Sequence, residues 1–210
     1  MKPLILAVFC LIASTLNAAD LPPDVARLQT EWAFVNYKLP EKDQEAAFKI
    51  LVERARAVSE KMPGRAESLI WEGIVLAGYA KAKGGLGALG LAEKSRDRLL
   101  EAERIDPNAM MGSVYTSLGS LHYKVPGWPI SFGDKKKARE YLQKALTLNP
   151  NGIDSNYFWA DFLHEQGDYA AALAAYRKAL SAPSRPGRED ADAGRRAEIM
   201  QGIKETEARL

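Results

Sequence analysis

Residues 138–186 read AREYLQKALTLNPNGIDSNYFWADFLHEQGDYAAALAAYRKALSAPSRP, and this stretch decides the fold. Its second part, Ile153 to Pro186, is a 34-residue window with the layout of two helices and a turn. Ala160 sits where the helices must touch. Gly167-Asp168-Tyr169 makes the turn, Ala172, Tyr176 and Ala179 follow at helical spacing, and Pro183 ends the second helix. The first part, from Ala138, supplies the second helix of a preceding hairpin.

The spacing recurs along the chain. Ala138, Leu142, Ala145 and Pro150 are matched step for step by Ser95, Leu99, Ala102 and Pro107, and again by Leu51, Ala55, Val58 and Pro63. Ala172, Tyr176 and Ala179 keep the first two steps, with Pro183 one residue early. Steps of four and three place the first three residues on one helical face. Small residues there let a neighbouring helix approach, and proline stops the helix because it lacks an N–H and clashes with the preceding turn. Asp106-Pro107-Asn108 and Asn149-Pro150-Asn151 add turn and capping chemistry. On these residues the chain resembles the tetratricopeptide (TPR) repeat superfamily over residues 24–186, whose period is about 34 residues. The resemblance implies an all-α, right-handed solenoid of about four helical hairpins.

Composition agrees. Runs of β-branched residues with period-two alternation are missing. The chain carries 29 Lys and Arg against 27 Asp and Glu, so no global charge drives it toward nucleic acid or an anionic membrane. Met1-Lys2, the apolar run Leu4 to Leu16 and the small residues around Ala18 read as a secretory signal peptide over residues 1–18. Phe9 stands before Cys10, where a lipoprotein signal needs a small residue, which argues against lipid anchoring. Cleavage would leave a mature chain with no cysteine and no later stretch apolar enough to span a bilayer, the profile of a periplasmic protein.

The domain reading is a solenoid over residues 20–186, then a polar C-terminal capping helix within 187–210. Pro40 breaks the first hairpin and Asp43 can cap its second helix. In the second hairpin, Gly78 is read as the close-contact residue, and the link runs Lys83 to Gly90. The third hairpin has Leu118-Gly119 in its first helix and an insertion, Val125 to Asp134, that is aromatic and proline-stiffened. The last helix, from about Glu189, has Ile199 and Ile203 as its few apolar positions and reads as a solvent-facing cap.

Nothing in the sequence proposes catalysis, a cofactor or a metal site. Gly85-Leu86-Gly87-Ala88-Leu89-Gly90 fits GxGxxG, but a dinucleotide site needs a strand before it, and Leu76 to Lys81 reads as helix. His122 and His164 lack zinc-ligand spacing. The chain has no GxSxG elbow and no Walker loop.

The binding argument rests on solenoid geometry, in which first helices line the concave wall. Counting from the small residue of each first helix, as in TPR families, puts Tyr79, Tyr123, Lys124, Tyr157, Asp161 and His164 on that wall. The three tyrosines then stand in a row, with Trp128 and Phe132 of the insertion available to roof it. A narrower likeness follows. Gly119 to Asp134, with Tyr123, Pro126-Gly127 and Phe132-Gly133-Asp134, is similar to the periplasmic T component of TRAP transporters. So are Asn151-Gly152-Ile153-Asp154 with Asn156-Tyr157-Phe158, and Ala182-Pro183 with Arg185-Pro186-Gly187. That likeness implies a non-enzymatic module that holds a partner envelope protein or peptide segment, such as a transporter's solute-binding subunit. The alternative is a carrier for a small apolar acid, closed by the 125–134 loop, with Lys124 or Arg185 meeting the carboxylate. Members of that family are often lipoproteins, and the residue before Cys10 departs from their pattern.

Overall fold

The computed structural model describes residues 21–210, so the segment read as a signal peptide, with Cys10, lies outside the described residues. Among the described residues there are nine α-helices and no strand: α1 (Pro23–Tyr37), α2 (Glu41–Lys61), α3 (Ala66–Lys83), α4 (Leu89–Ile105), α5 (Ala109–Lys124), α6 (Lys135–Leu148), α7 (Ile153–Glu165), α8 (Tyr169–Leu180) and α9 (Glu189–Glu207). They form four hairpins and one further helix.

Local chemistry sets the boundaries. Pro22-Pro23 fixes the first φ angles of α1. Asp134 caps α6 by accepting from the backbone N–H of Lys136 and Lys137, and Asp168 caps α8 by accepting from that of Ala171. Gly167 supplies the left-handed residue of the turn between α7 and α8. Asp43 does not cap α2. The helix begins at Glu41, directly after Pro40, and Asp43 lies in its first turn. There its charge favours the positive end of the helix dipole instead.

The repeated stripe is the seam of the fold. Ser95, Leu99, Ala102, Ala138, Leu142, Ala145, Ala172, Tyr176, Ala179, Leu51 and Ala55 are all buried, with Val58 half-buried. In the second and third hairpins the seam meets a glycine on the facing helix. A methyl group at Gly119 would lie 2.7 Å from Leu142 Cγ, and one at Gly73 would lie 2.7 Å from Leu99 Cγ. Leu99 and Leu142 hold the same place in the stripe, so Gly73, not Gly78, is the counterpart of Gly119 in the second hairpin. Ser95 strengthens that contact by donating to the carbonyl of Gly73 at 2.6 Å. Gly78 instead receives Phe48 of the preceding hairpin, where a methyl would lie 2.6 Å from the ring.

The helix α5 opens irregularly. Met110, Met111 and Gly112 form a left-handed turn with φ of 51, 54 and 72°. Such a conformation costs a non-glycine residue roughly 1–2 kcal/mol. Met110 packs against the buried clusters of both the first and second hairpins, and its contacts there help offset that cost.

Odd-numbered helices form an inner row, with contacts α1–α3, α3–α5, α5–α7 and α7–α9. Each even-numbered helix packs on its own hairpin partner and on the next odd helix. Among the described residues, no two even helices touch. The row then closes on itself, because α9 packs on α7 and α8 and also on α1. The C-terminal helix is therefore not a solvent-facing cap. It buries Ala191, Asp192, Arg195, Ile199, Gly202 and Thr206.

Candidate functional site

The helix α9 is held by shape and by charge. Two of its glycines are notches. A methyl at Gly194 would lie 2.3 Å from the ring of Tyr37 on α1, and one at Gly202 would lie 2.6 Å from that of Tyr176 on α8. Only a bare backbone admits both rings at this distance. Asp192, just before the first notch, and Arg195 and Glu198, between the two, recur every three residues along one side of the helix.

Arg195 is the centre of this clasp and is 7% exposed. Its Nε donates to Asp154 Oδ1 at 2.8 Å, and its Nη1 donates to Glu198 Oε2 at 2.6 Å. Its guanidinium lies 4.2 Å from the ring centre of Tyr157 and 4.7 Å from that of Phe158, a desolvated cation–π arrangement. Arg185 completes the network, donating to Asp154 Oδ2 at 2.7 Å and to Asp192 Oδ1 at 2.7 Å. The hydroxyl of Tyr37 donates to Glu198 at 3.1 Å, and Lys38 pairs with Asp190 at 3.0 Å. Arg188 stacks over Trp71 at 5.3 Å. Farther along, His164 Nδ1 lies 2.8 Å from the hydroxyl of buried Thr206, and Arg177 pairs with Glu207.

This network shifts ionisation. Burial alone would raise the Asp154 carboxyl, but the charges of Arg195 and Arg185 outweigh it and hold the group below the usual carboxylate range. Burial pushes the Tyr37 and Tyr157 hydroxyls up, against the opposing charge of Arg195. The sign of the stability effect follows. An unfolded carboxyl titrates near 3.9, above the folded one, so the unfolded state binds the proton first. Stability supplied by Asp154 is therefore present above about pH 4 and is lost as pH falls below it. In urea melts run at descending pH, the parent is expected to lose stability steadily below about pH 4. Asp154→Asn is expected to flatten that slope while being less stable at neutral pH.

The sequence-predicted residues divide into groups. Tyr123, Lys124, Tyr157, Asp161 and His164 are brought together along α5 and α7. Tyr123 donates to Asp161 at 2.6 Å, and Lys124 pairs with Asp161 at 2.7 Å and with Glu165. Burial would lower Lys124, but Asp161 and Glu165 override it and raise its pKa; burial and Asp161 together raise Tyr123 well above the usual tyrosine value. Tyr79 stands apart, half-buried against the first hairpin's core, with Lys83 over its ring at 5.8 Å. Its placement on the wall was counted from Gly78. Counted from Gly73, the register of the fold, that position, one after the small residue, falls to Ile74 instead. Phe132 does not roof the row. It packs edge-on against His122 at 5.5 Å and under Arg96 of α4 at 4.5 Å. Trp128 is 90% exposed.

Beside the clasp lies a hollow of about 400 Å³ between α7, α8 and α9. Its lining includes Tyr157, Asp161, Tyr176, Glu198, Gln201 and Glu205, and no lysine or arginine. Of its three carboxylates, Asp161 is paired with Lys124 at 2.7 Å and Glu198 with Arg195 at 2.6 Å, so among the described residues Glu205 is the one that forms no ion pair, and it lies on the same hollow as the half-buried ring of Tyr157. Lys124 and Arg185, the cations a small acid would need, are both engaged with carboxylates. Among the described residues no cluster of side chains could hold a metal ion, and no helix is long and apolar enough to cross a membrane. Of the clasp, the sequence pointed to Tyr157, His164 and Arg185 as ligand or partner contacts, and Asp154 and Phe158 stood in the stretch similar to the T component, but Asp192, Arg195 and Glu198 were not singled out. The available signal was the triplet Asp192, Arg195, Glu198 at helical spacing, with glycine at 194 and 202.

The tetratricopeptide repeat model matches residues 130–151 and 153–185, the second span nearly coinciding with the window from Ile153 to Pro186. Among solved structures, the fold is similar to that of a thermophilic TPR protein of Thermus thermophilus. The TM-score is 0.59 at 18% identity, covering 85% of this chain and 78% of that one. MamA is a more distant match, with a TM-score of 0.46 at 20% identity over 80% of this chain and 91% of that one. No curated protein matches the sequence.

Proposed function

Since tetratricopeptide repeats occupy residues 130–151 and 153–185, on a fold shared with a solved TPR protein, we propose that this protein is a non-enzymatic module that binds a segment of another protein. The observation that carries the reading is the hollow between α7, α8 and α9, where the carboxylate of Glu205 forms no ion pair and Tyr157 lines the wall. It accepts a lysine or arginine side chain of an extended segment at Glu205, with neighbouring apolar groups resting on the half-exposed ring of Tyr157. Tyrosine offers contact area at low entropic cost together with a polar tip. The clasp narrows the choice of surface. Since α9 already covers the face of Tyr157 that meets Arg195, the partner uses the open side, between Asp161 and Glu205.

In this reading the partner is an envelope protein, a solute-binding subunit of the TRAP type. The likeness of residues 119–134 and 151–158 to the T component supports that choice, and the signal-peptide character of residues 1–18 supports a periplasmic location. Carriage of a small apolar acid is disfavoured because no lysine or arginine lines the hollow and because Lys124 and Arg185 are engaged with carboxylates.

The test uses synthetic peptides that alternate leucine with either lysine or glutamate. Calorimetry is expected to show binding of the lysine peptide and none of the glutamate peptide. Gln201 and Glu205 lie exposed on the rim, so Q201K/E205K should leave the melting temperature unchanged. It is expected to weaken lysine-peptide binding at least about tenfold, near 1.4 kcal/mol. Equal binding of both peptides, or no effect of the charge reversal, would sink the reading.

A further inference from the structure

The loop between α5 and α6 carries two observations that the binding module does not absorb. The first is exposed apolar surface presented on a closed frame. Trp128 is 90% exposed and Ile130 is 62% exposed. The loop that bears them is fastened by its own backbone. The N–H of Gly133 donates to the carbonyl of Pro126 at 2.9 Å, that of Asp134 to the carbonyl of His122 at 2.8 Å, and that of Ile130 to the carbonyl of Gly127 at 3.1 Å. The base is so tight that a methyl at Gly133 would lie 1.9 Å from the Val125 carbonyl oxygen. Phe132 anchors the loop against His122 and Arg96, and so leaves Trp128 and Ile130 facing solvent.

The second observation is charge in an unfavourable place. The loop runs directly into α6, whose first turn is Lys135-Lys136-Lys137 with no acidic residue. Three cations sit at the positive end of a helix dipole, where carboxylates are preferred. All three side chains are exposed, and among the described residues none forms an ion pair. Asp134, the nearest carboxylate in sequence, is turned to the backbone N–H groups of α6. The balanced net charge of the chain conceals this local cluster.

We propose that the 125–134 loop and the first turn of α6 dock the protein on an anionic lipid surface. Tryptophan prefers the headgroup region, where its apolar ring is buried and its N–H stays wet. Isoleucine adds apolar depth, and lysines close to the surface are drawn to anionic headgroups. A bilayer of negative charge also relieves the repulsion between the three lysines and the helix end. A protein partner fits less well, because lysine is depleted from protein interfaces while tryptophan alone is enriched there. The contact is peripheral, and it lies outside the peptide-binding hollow, so the two activities can be separated by mutation.

Flotation of the full chain with vesicles tests the proposal, using phosphatidylcholine alone and a mixture with phosphatidylglycerol. Binding is expected to the mixture only, and it is expected to weaken as salt screens the charges. K135Q/K136Q/K137Q is expected to bind the mixture roughly a hundredfold more weakly, at about a fivefold loss per lysine. W128A/I130S is expected to lose at least about tenfold. Both variants change exposed side chains only, so an unchanged circular dichroism spectrum and melting temperature will show that the fold is intact. The proposal is overturned if the parent fails to bind the mixture, binds phosphatidylcholine equally, or is matched by both variants. It is equally overturned if a photocrosslinking residue at position 128, offered vesicles and envelope proteins together, labels protein and no lipid.

Discussion

Replacing Arg195 by alanine is expected to destabilise the protein by about 3 kcal/mol or more and to release α9 from the inner row. Removing one member of a buried ion network typically costs roughly 3–5 kcal/mol, because the remaining charges stay desolvated without a partner. Here Asp154 would keep Arg185, but Glu198 would keep only the Tyr37 hydroxyl and a distant Lys81 at 3.9 Å. The rings of Tyr157 and Phe158 would also lose the guanidinium that covers them. At about 2–4 °C per kcal/mol for a chain of this size, the melting temperature should fall by roughly 10 °C. Arg195→Met keeps the apolar stem and is expected to lose less. R195M/D154N, which removes the opposing charge as well, is expected to recover part of the loss, as double-mutant coupling requires. Thermal melts together with limited proteolysis check this: cleavage should concentrate in α9 of R195A and not of the parent. A loss under about 1 kcal/mol would show that the network contributes little.

Replacing Phe48 by alanine is expected to cost about 3–5 kcal/mol, the usual range for deleting a buried phenyl ring. The ring is 1% exposed. It lies against Gly78 so closely that a methyl on that glycine would come within 2.6 Å. The first and second hairpins meet there, and the surrounding indoles of Trp32 and Trp71 stand edge-on at 6.2 Å. Helix backbone lines one side of the hole, so the site collapses poorly and the upper part of the range is expected. The reciprocal change, Gly78→Ala, overpacks the same contact and is expected to cost about 1–3 kcal/mol. In F48A/G78A the added methyl projects into the vacated space. The double variant is therefore expected to be more stable than the sum of the two losses allows, by about 1 kcal/mol. Denaturant titration of the four proteins measures this directly, and strict additivity would contradict the contact.

The hairpins were legible in the sequence because their seam is local. Leu99, Leu142 and Tyr176 each sit four residues after a small residue and three before another, and that pattern needs no knowledge of distant partners. Helix ends were readable where proline marked them, as at Pro150 and Pro183, whereas the Asp134 and Asp168 caps were not read and Asp43, which was, does not cap. The register of the second hairpin was not, because Gly73 and Gly78 lie on the same helix and both make close contacts. Only the position of Leu99 in space separates them, and Tyr79 was misplaced on the row for that reason. The part played by α9 was hidden for a different cause. Its binding face is made of glycine notches and charges, so it carries little of the apolar periodicity that announces a packed helix. Its partners are also remote in sequence: Tyr37 and Glu198 are 161 residues apart. In the candidate site, the clustering of Tyr123, Lys124, Tyr157, Asp161 and His164 was accessible from repeat spacing. Their engagement with one another and with α9 was not.

An open array of repeats is a zipper: each unit leans only on its neighbours, and the outermost ones peel away first at little cost. The contact between α1 and α9 turns the zipper into a buckled belt. To peel α9 away is to bare Tyr37, and to peel the first hairpin away is to empty the Gly194 notch and part Lys38 from Asp190. Neither extremity can fray without charging its expense to the other, so the molecule is expected to unfold as one cooperative body even though it is assembled from modular parts.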